Sequence, residues 1–350
     1  MAPLSPQSPP RIAVTPQQWL KKNLFSSIPN TVLTILSILF LGLIFQSFWS
    51  WLQQAQWSVV TSNLRLFWVG RYPEAQLWRM WAILGIGVAA FVMSITIWWT
   101  RSQSKNSTLA TKLQTLQYCL LPVGAIAIVW LVNGGLGLPL MRTSLWGGLF
   151  LTLFTAAISV LLAFPLSILL AIGRRSQQPI TRWLCTGYIE LVRGLPLIGI
   201  LFMAQVMLPL VMPPGFRLDR LLRAIAGLTL FNAAYLAENI RAGLQAIPHG
   251  QMEAARSLGL SGVQTLRWIV LPQALRLVTP AIVGQFISLF KDTSLLALFA
   301  LFELTGTART VLSQPQFLGR NAEVYLFIGL IYWIVCFTLS RFSQRLEVRS

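Results

Sequence analysis

Charge is scarce in this chain. Of its 350 residues only 10% are charged, against about 25% in ordinary soluble domains, and just 9 are Asp or Glu. A soluble domain clothed in mixed charge is thereby excluded. The 3 cysteines, Cys119, Cys185 and Cys336, are odd in number, far apart and set in or beside apolar segments, which argues against a disulfide framework or a metal site. The single histidine, His249, stands between a Pro and a Gly and reads as a loop residue. No G-x-x-x-x-G-K-[ST] occurs, so the chain offers no phosphate-cradling loop for a nucleotide. H-E-x-x-H and G-x-S-x-G are missing too, which leaves no catalytic residue, metal or cofactor to assign. No polar stretch is long enough to form a separate ligand-binding domain.

What the chain does have is apolar length. Hydrophobic residues make up 55% of it, and eight segments approach the roughly 20 residues needed to cross a bilayer. They run over about 31–51, 78–99, 118–132, 145–172, 190–212, 222–244, 277–302 and 324–339. The expected fold class is an all-α polytopic membrane protein with about 8 transmembrane helices. The net charge of +18 forms no compact basic patch interleaved with aromatics, so nucleic acid is not expected as a partner and membrane lipid is. Lys and Arg instead flank the apolar runs. They are more frequent on the segments that hold Lys21, Lys22, Arg174, Arg175 and Arg256 than on those that hold Arg71, Arg142 and Arg217, which puts the first set and both termini on the cytoplasmic side. The Pro-rich start, with an apolar run that begins late and is long, does not read as a cleavable signal. Residues 1–30 are expected to be a disordered cytoplasmic tail, 31–133 three accessory transmembrane helices, and 144–342 a second domain, divided from the first near Gly134–Met141.

One long polar-and-small run interrupts the second part, Gly250 to Pro272. Pro248 pre-sets a first helical turn, and Gln251 to Leu258 contains neither Gly nor a β-branched residue. Gly259 can end that helix in the left-handed conformation, and Ser261 can cap a second helix before Pro272 interrupts the pattern. Ala254 and Ala255 leave part of the first helix nearly bare for close approach of another backbone, and Glu253 and Arg256 share a side. The spacing of Glu253, Ala254, Ala255, Gly259, Ile269, Leu271 and Pro272 resembles the EAA loop of importer-type ABC permeases. The resemblance implies a five-helix type I ABC importer permease core over 144–342, with a cytoplasmic coupling loop at 246–272. It also implies that Gly250, Gln251, Glu253, Ala254, Ala255, Arg256, Leu258, Gly259 and Leu260 meet a separate ATPase subunit.

Three clusters put ionisable groups inside or at the ends of spans, where each costs several kcal/mol unless it faces a partner or a cavity. Glu190 and Arg193, ahead of Gly194 and Pro196, and likewise Glu238 and Arg241, are three apart on one helical face and could satisfy each other. Lys291 and Asp292, followed by Thr293 and Ser294, point different ways. Their expected role is either an interhelical salt bridge or a complement to a zwitterion's carboxylate and ammonium. Tyr235-Leu-Ala-Glu238, the run from Ala246 to Gln251, Lys291-Asp-Thr-Ser-Leu295 and Trp146-Gly-Gly are similar to the histidine, glutamine and general L-amino-acid permeases; Gly284 departs from some of these relatives. The resemblance implies an importer subunit without covalent chemistry of its own. Its partners would be ABC ATPase subunits, a second permease subunit that is a homologue, and a periplasmic amino-acid-binding protein. Gly194, Pro196, Lys291, Asp292, Thr293 and Ser294 would belong to the substrate pathway. The expected location is the bacterial inner membrane, and the alternative is an ion-coupled secondary amino-acid transporter.

Overall fold

The computed structural model describes residues 15–103, 108–213, 215 and 217–347. They are helical, with no β-strand among them. The chain forms two units, 1–57 and 58–350. In the first, Thr15 accepts from Gln18 in a capping box and Pro16 sits at the first turn of α1, Pro16–Asn23. Ser27 then caps α2, Ile28–Gln54, whose apolar residues run all round it. The expected disordered tail over 1–30 is corrected for residues 15–30, where these caps and Pro16 define helices; residues 1–14 lie outside the described part.

The second unit begins with two short helices, α3 (Ser58–Thr61) and α4 (Leu64–Val69), followed by a hairpin of α5 (Leu77–Gln103) and α6 (Thr108–Asn133). Next come α7 (Gly148–Arg174), α8 (Pro179–Gly194), α9 (Leu197–Phe202), α10 (Leu208–Val211) and α11 (Arg220–Ala246). The last part holds α12 (His249–Ser257), α13 (Gly262–Gln264), α14 (Leu271–Asp292), α15 (Leu304–Leu312) and α16 (Asn321–Glu347). The axial member is α11, packed against α7, α8, α9 and α14.

Among the described residues, six helical segments are long and apolar enough to cross a membrane, or seven if one bent pair counts as a span. The remaining expected span is α11, which at 27 residues has the length but carries Arg220, Arg223, Glu238 and Arg241. It buries 14 residues, among them Asn232 and Thr229, so its neighbours rather than lipid surround it. A helix enclosed by protein can therefore be less apolar than one that faces acyl chains.

Two expected spans take another form. The expected span over 190–212 is broken: α8 and the segment Leu197–Val211 meet at 104°. Pro196 has no N–H and drives Leu195 to an extended conformation (φ −101°, ψ 142°), so the helix stops at Gly194 and restarts beyond the corner. Pro272, conversely, does not end its helix. The chain runs from Gly262 to Phe299 as one long segment, passing through a π-helical stretch at Thr265–Val270 immediately before α14. The wider turn accommodates a proline that cannot donate at the start of the next α-helical stretch.

At the end where α7 begins, three parts of the unit meet backbone to backbone. Gly70 bridges Trp146, and Gly148 bridges Glu303 while donating to the Phe302 carbonyl at 2.8 Å. Gly148 has φ +60°, and a Cβ there would come within 2.4 Å of the Phe67 carbonyl oxygen. Only glycine serves at this crossing. Residues 58–70 are thereby fastened to the region that carries α7 and α15.

Candidate functional site

The stretch Gly250–Pro272 folds as helix, turn and helix. α12 begins after Pro248 and ends in a Schellman motif, with Leu260 N–H donating to the Ala255 carbonyl at 3.1 Å and Gly259 N–H to the Arg256 carbonyl at 2.9 Å. Gly259 has φ +77°, the left-handed value this motif needs, and nothing lies within 4 Å of the place a Cβ would take. Ser261 and Gln264 then form a reciprocal capping box at 3.3 and 2.8 Å, which starts the long segment that leads into α14. Each end of α12 is thus set by local chemistry.

The helix presents most of itself to the outside. Ala255 is its one buried residue and Met252 is half-buried, packed with Leu266, Val270 and Leu271. Gly250, Gln251, Glu253, Ala254, Arg256, Leu258 and Gly259 are exposed, and Leu260 is half-buried. The two alanines therefore divide their work: Ala255 seats the helix on its own subunit, while Ala254 leaves the exposed face bare. Glu253 and Arg256 form no ion pair with each other. Their charges are directed to the surroundings.

A network of ion pairs stands near the root of this loop. Arg174 at the end of α7 donates to Glu190 of α8 at 2.6 Å and to Glu238 of α11 at 3.1 Å. Arg241 pairs with Glu238 on the same helix, as its spacing predicts. Glu190 does not take Arg193, because Arg174 reaches it first. Arg193 stands 3.9 Å from Glu238 and lies over the Tyr235 ring. The network joins three helices, with Arg241 and Glu238 about two and three helical turns before Pro248, and the decisive residue, Arg174, is remote in sequence from both clusters.

Gly194 and Pro196 form the 104° corner between α8 and α9. Lys291 and Asp292 close α14, and Thr293 and Ser294 open a 3₁₀ segment that runs to Phe299. Lys291 is exposed; Asp292 and Ser294 are half-buried; Thr293 is buried and donates to the Phe290 carbonyl at 2.7 Å. Among the described residues neither Lys291 nor Asp292 has an ion-pair partner. The expected interhelical salt bridge is therefore not made among the described residues. The four positions belong to other elements than the Gly194–Pro196 corner, although the 3₁₀ segment that Thr293 and Ser294 open packs against α9, which follows that corner.

Sequence reading missed a buried polar seam. Thr152, Thr155, Ser159 and Ser167 share one buried stripe of α7, the helix that packs most extensively on α11. Asn232 of α11 accepts from Gln285 of α14 at 2.8 Å and itself donates to the Leu228 carbonyl. Thr155, Ser159 and Thr229 hydroxyls are buried without a hydrogen-bond partner. The three-to-four spacing of hydroxyls on α7 was the available signal. A second missed group is Glu303, which caps α15 by accepting from Thr305 and Gly306 and lies against Tyr332. Burial, only partly offset by those donors, pushes its carboxyl up to about 7. Among the described residues no cluster of His, Cys, Asp and Glu could hold a metal ion.

Comparison with known proteins converges on one family. Residues 163–349 match the binding-protein-dependent transport system inner membrane component. The inner membrane amino-acid ABC transporter permease protein YhdY of Escherichia coli (strain K12) is 41% identical over 348 residues, covering 95% of this chain and 92% of that protein. The glutamate/glutamine/aspartate/asparagine transport system permease protein BztC of Rhodobacter capsulatus is 33% identical and covers 98% of this chain and 96% of its own length. A crystal structure of an amino acid ABC transporter with histidines superposes with a TM-score of 0.53 at 30% identity, over 58% of this chain and 92% of that one. With a matching family pattern over the α11–α14 loop and relatives aligned nearly end to end, the chain belongs to the binding-protein-dependent transport system inner membrane components, the multi-pass permease subunits of ABC importers.

Proposed function

We propose that the chain translocates amino acids into the cytoplasm by alternating access, driven by ATP hydrolysis on a separate ATPase subunit. The observation that carries this reading is α12: a short helix fixed at both ends, bare on its exposed face, and rooted beside the Arg174–Glu190–Glu238–Arg241 network. A rigid element of this kind can pass movement of a docked partner to α7, α8 and α11 without bending. Gly250 to Leu260 is the contact we assign to the ATPase, on the cytoplasmic side with both termini.

The substrate pathway is placed along α14 and the polar seam. Leu277, Gly284 and Lys291 are seven apart and share one exposed face of a span. An ammonium group against lipid costs several kcal/mol, so that face needs water or a second permease subunit, which we take to be a homologue. Half-buried Asp292, without an ion-pair partner among the described residues, is the group we assign to a substrate ammonium; Thr293, Ser294, Gly194 and Pro196 shape the path around it. The unpartnered hydroxyls on α7 and α11 mark where these helices would part. Residues 31–133 are taken as accessory helices, 144–342 as the permease domain with its coupling loop at 246–272, and a periplasmic amino-acid-binding protein as the donor of substrate. Ion coupling, by contrast, finds no support among the relatives.

The test is reconstitution. The purified chain, co-expressed with its neighbouring ATPase and permease genes, should yield a complex whose proteoliposomes take up labelled amino acid only with ATP and binding protein. Uptake driven by an H⁺ or Na⁺ gradient without ATP would reject this assignment.

A further inference from the structure

A cavity of about 510 Å³ opens beside the root of α12, between the end of α7, the start of α8, the end of α11 and the segment 262–270. Its size is that of a small-molecule site, for which about 300–1,000 Å³ is usual. The inner wall is apolar, formed by Ile172, Leu244 and Val270. Arg175 and Arg256 stand at the exposed rim, and neither has an ion-pair partner among the described residues, whereas the adjacent Arg174 is engaged with two carboxylates. Thr265, 5% exposed, is part of the lining, and its hydroxyl, itself buried, makes no hydrogen bond. A buried donor left without a partner costs about 1–3 kcal/mol, so this one calls for an acceptor that enters from outside.

An anionic group would satisfy both arginines and the hydroxyl together. The rest of the site says what that anion carries. Leu169 lies at the mouth and Leu162 one heptad away on the same face of α7; they are 67% and 48% exposed. They form an apolar track from the cavity along a candidate membrane span. Exposed Ile180, Trp183 and Leu184 at the start of α8, with Arg182 among them, give the neighbouring surface the mix of aromatic, aliphatic and basic groups typical of a membrane interface.

We propose that this cavity binds an anionic phospholipid. The phosphate lies between Arg175 and Arg256, the Thr265 hydroxyl donates to one of its oxygens, and an acyl chain leaves past Leu169 along α7. Because Met252 and Arg256 of α12 form one wall and Ile172 of α7 another, the bound lipid braces the loop against the transmembrane body. Met252 and Arg256 also belong to the loop assigned to the ATPase, whereas Arg175 and Thr265 lie outside it, so variants at those two positions test the lipid site apart from that assignment.

The test places the purified complex in nanodiscs of phosphatidylcholine containing a minor fraction of phosphatidylglycerol, and counts retained lipids by native mass spectrometry. Wild type should hold phosphatidylglycerol in preference to phosphatidylcholine. Arg175→Gln should lower that preference about tenfold, the value of one charge-assisted hydrogen bond, and the shape-conserving Thr265→Val should lower it less. Should Arg175→Gln not assemble, Thr265→Val supplies the comparison. Equal retention of the two lipids by wild type, or an unchanged preference in the assembled variants, would overturn the proposal. A further arm adds inorganic phosphate: retention unaffected by it supports the lipid, while displacement assigns the site to a soluble phosphate and refutes the lipid assignment.

Discussion

Substitution at Gly259 separates backbone geometry from surface chemistry in the coupling loop. Its φ of +77° lets Gly259 and Leu260 return their N–H groups to Arg256 and Ala255, and open space surrounds the absent side chain. A new side chain therefore costs conformational energy without a clash. Asn tolerates this region and should cost a few tenths of a kcal/mol to about 0.5; Ala about 1; Val, branched at Cβ, about 2–3. With about 1.4 kcal/mol per factor of ten, Val would leave the native turn in a minority of molecules if the loop's own ordering energy is about 1–2 kcal/mol. The transmembrane helices do not share this turn, so the amount of inserted protein should stay constant. Association with the ATPase and ATP-driven uptake should fall in the order glycine, Asn, Ala, Val. The assay measures both in membranes with matched permease content. Equal impairment by Asn and Val would refute the argument, because bulk at the surface and not the left-handed turn would then be the cause.

Glu238→Gln should lower thermal stability in detergent by a few kcal/mol, since it leaves Arg174, Arg193 and Arg241 without their shared carboxylate; Glu190→Gln, at a residue whose side chain is 60% exposed against 21% for Glu238, should cost under about 1 kcal/mol. The opposite ranking would remove the network as the brace of the loop. Asp292→Asn should leave assembly with the ATPase intact and shift competition among acidic, neutral and basic amino acids; low assembly with an unchanged profile would reveal a structural pair supplied by another subunit. In a cysteine-free background, exposed Ser261→Cys should be protected from an impermeant thiol reagent added outside while exposed Ser313→Cys reacts, and the reverse pattern would invert the topology. Glu303, with its carboxyl raised to about 7 in the folded state, binds more protons folded than unfolded across about pH 4.5–7, so its contribution to stability is greatest in acid and declines as pH rises through that window. Glu303→Gln should flatten this part of a pH profile of thermal unfolding, and a profile that keeps its slope would assign the titration elsewhere.

The features readable from the sequence are those decided by neighbours along the chain. Pro248, Gly259 and the Ser261–Gln264 pair act within four residues of themselves, so the helix, turn and helix of the coupling loop were legible. So was the pairing of Glu238 with Arg241, one helical turn apart, and so were the apolar spans, because the solvent around a lipid-facing helix is itself apolar. Pro196 was read through as part of one span over 190–212, and the 104° corner there depends on what α8 and α9 each pack against. The remaining decisions needed neighbours from elsewhere in the chain. Arg174 displaced Arg193 as the partner of Glu190, an outcome of distances between α7 and α8 that no spacing encodes. For the same reason Lys291 and Asp292 proved to have no ion-pair partner among the described residues. The cavity beside α12 is lined from α7, the start of α8, α11, α12 and the segment 262–270, and no spacing along the chain shows that Thr265 is buried there. Hydrogen-bond caps act over one helical turn and can be read in order; burial and ion pairing act across space, and only the packed helices determine them.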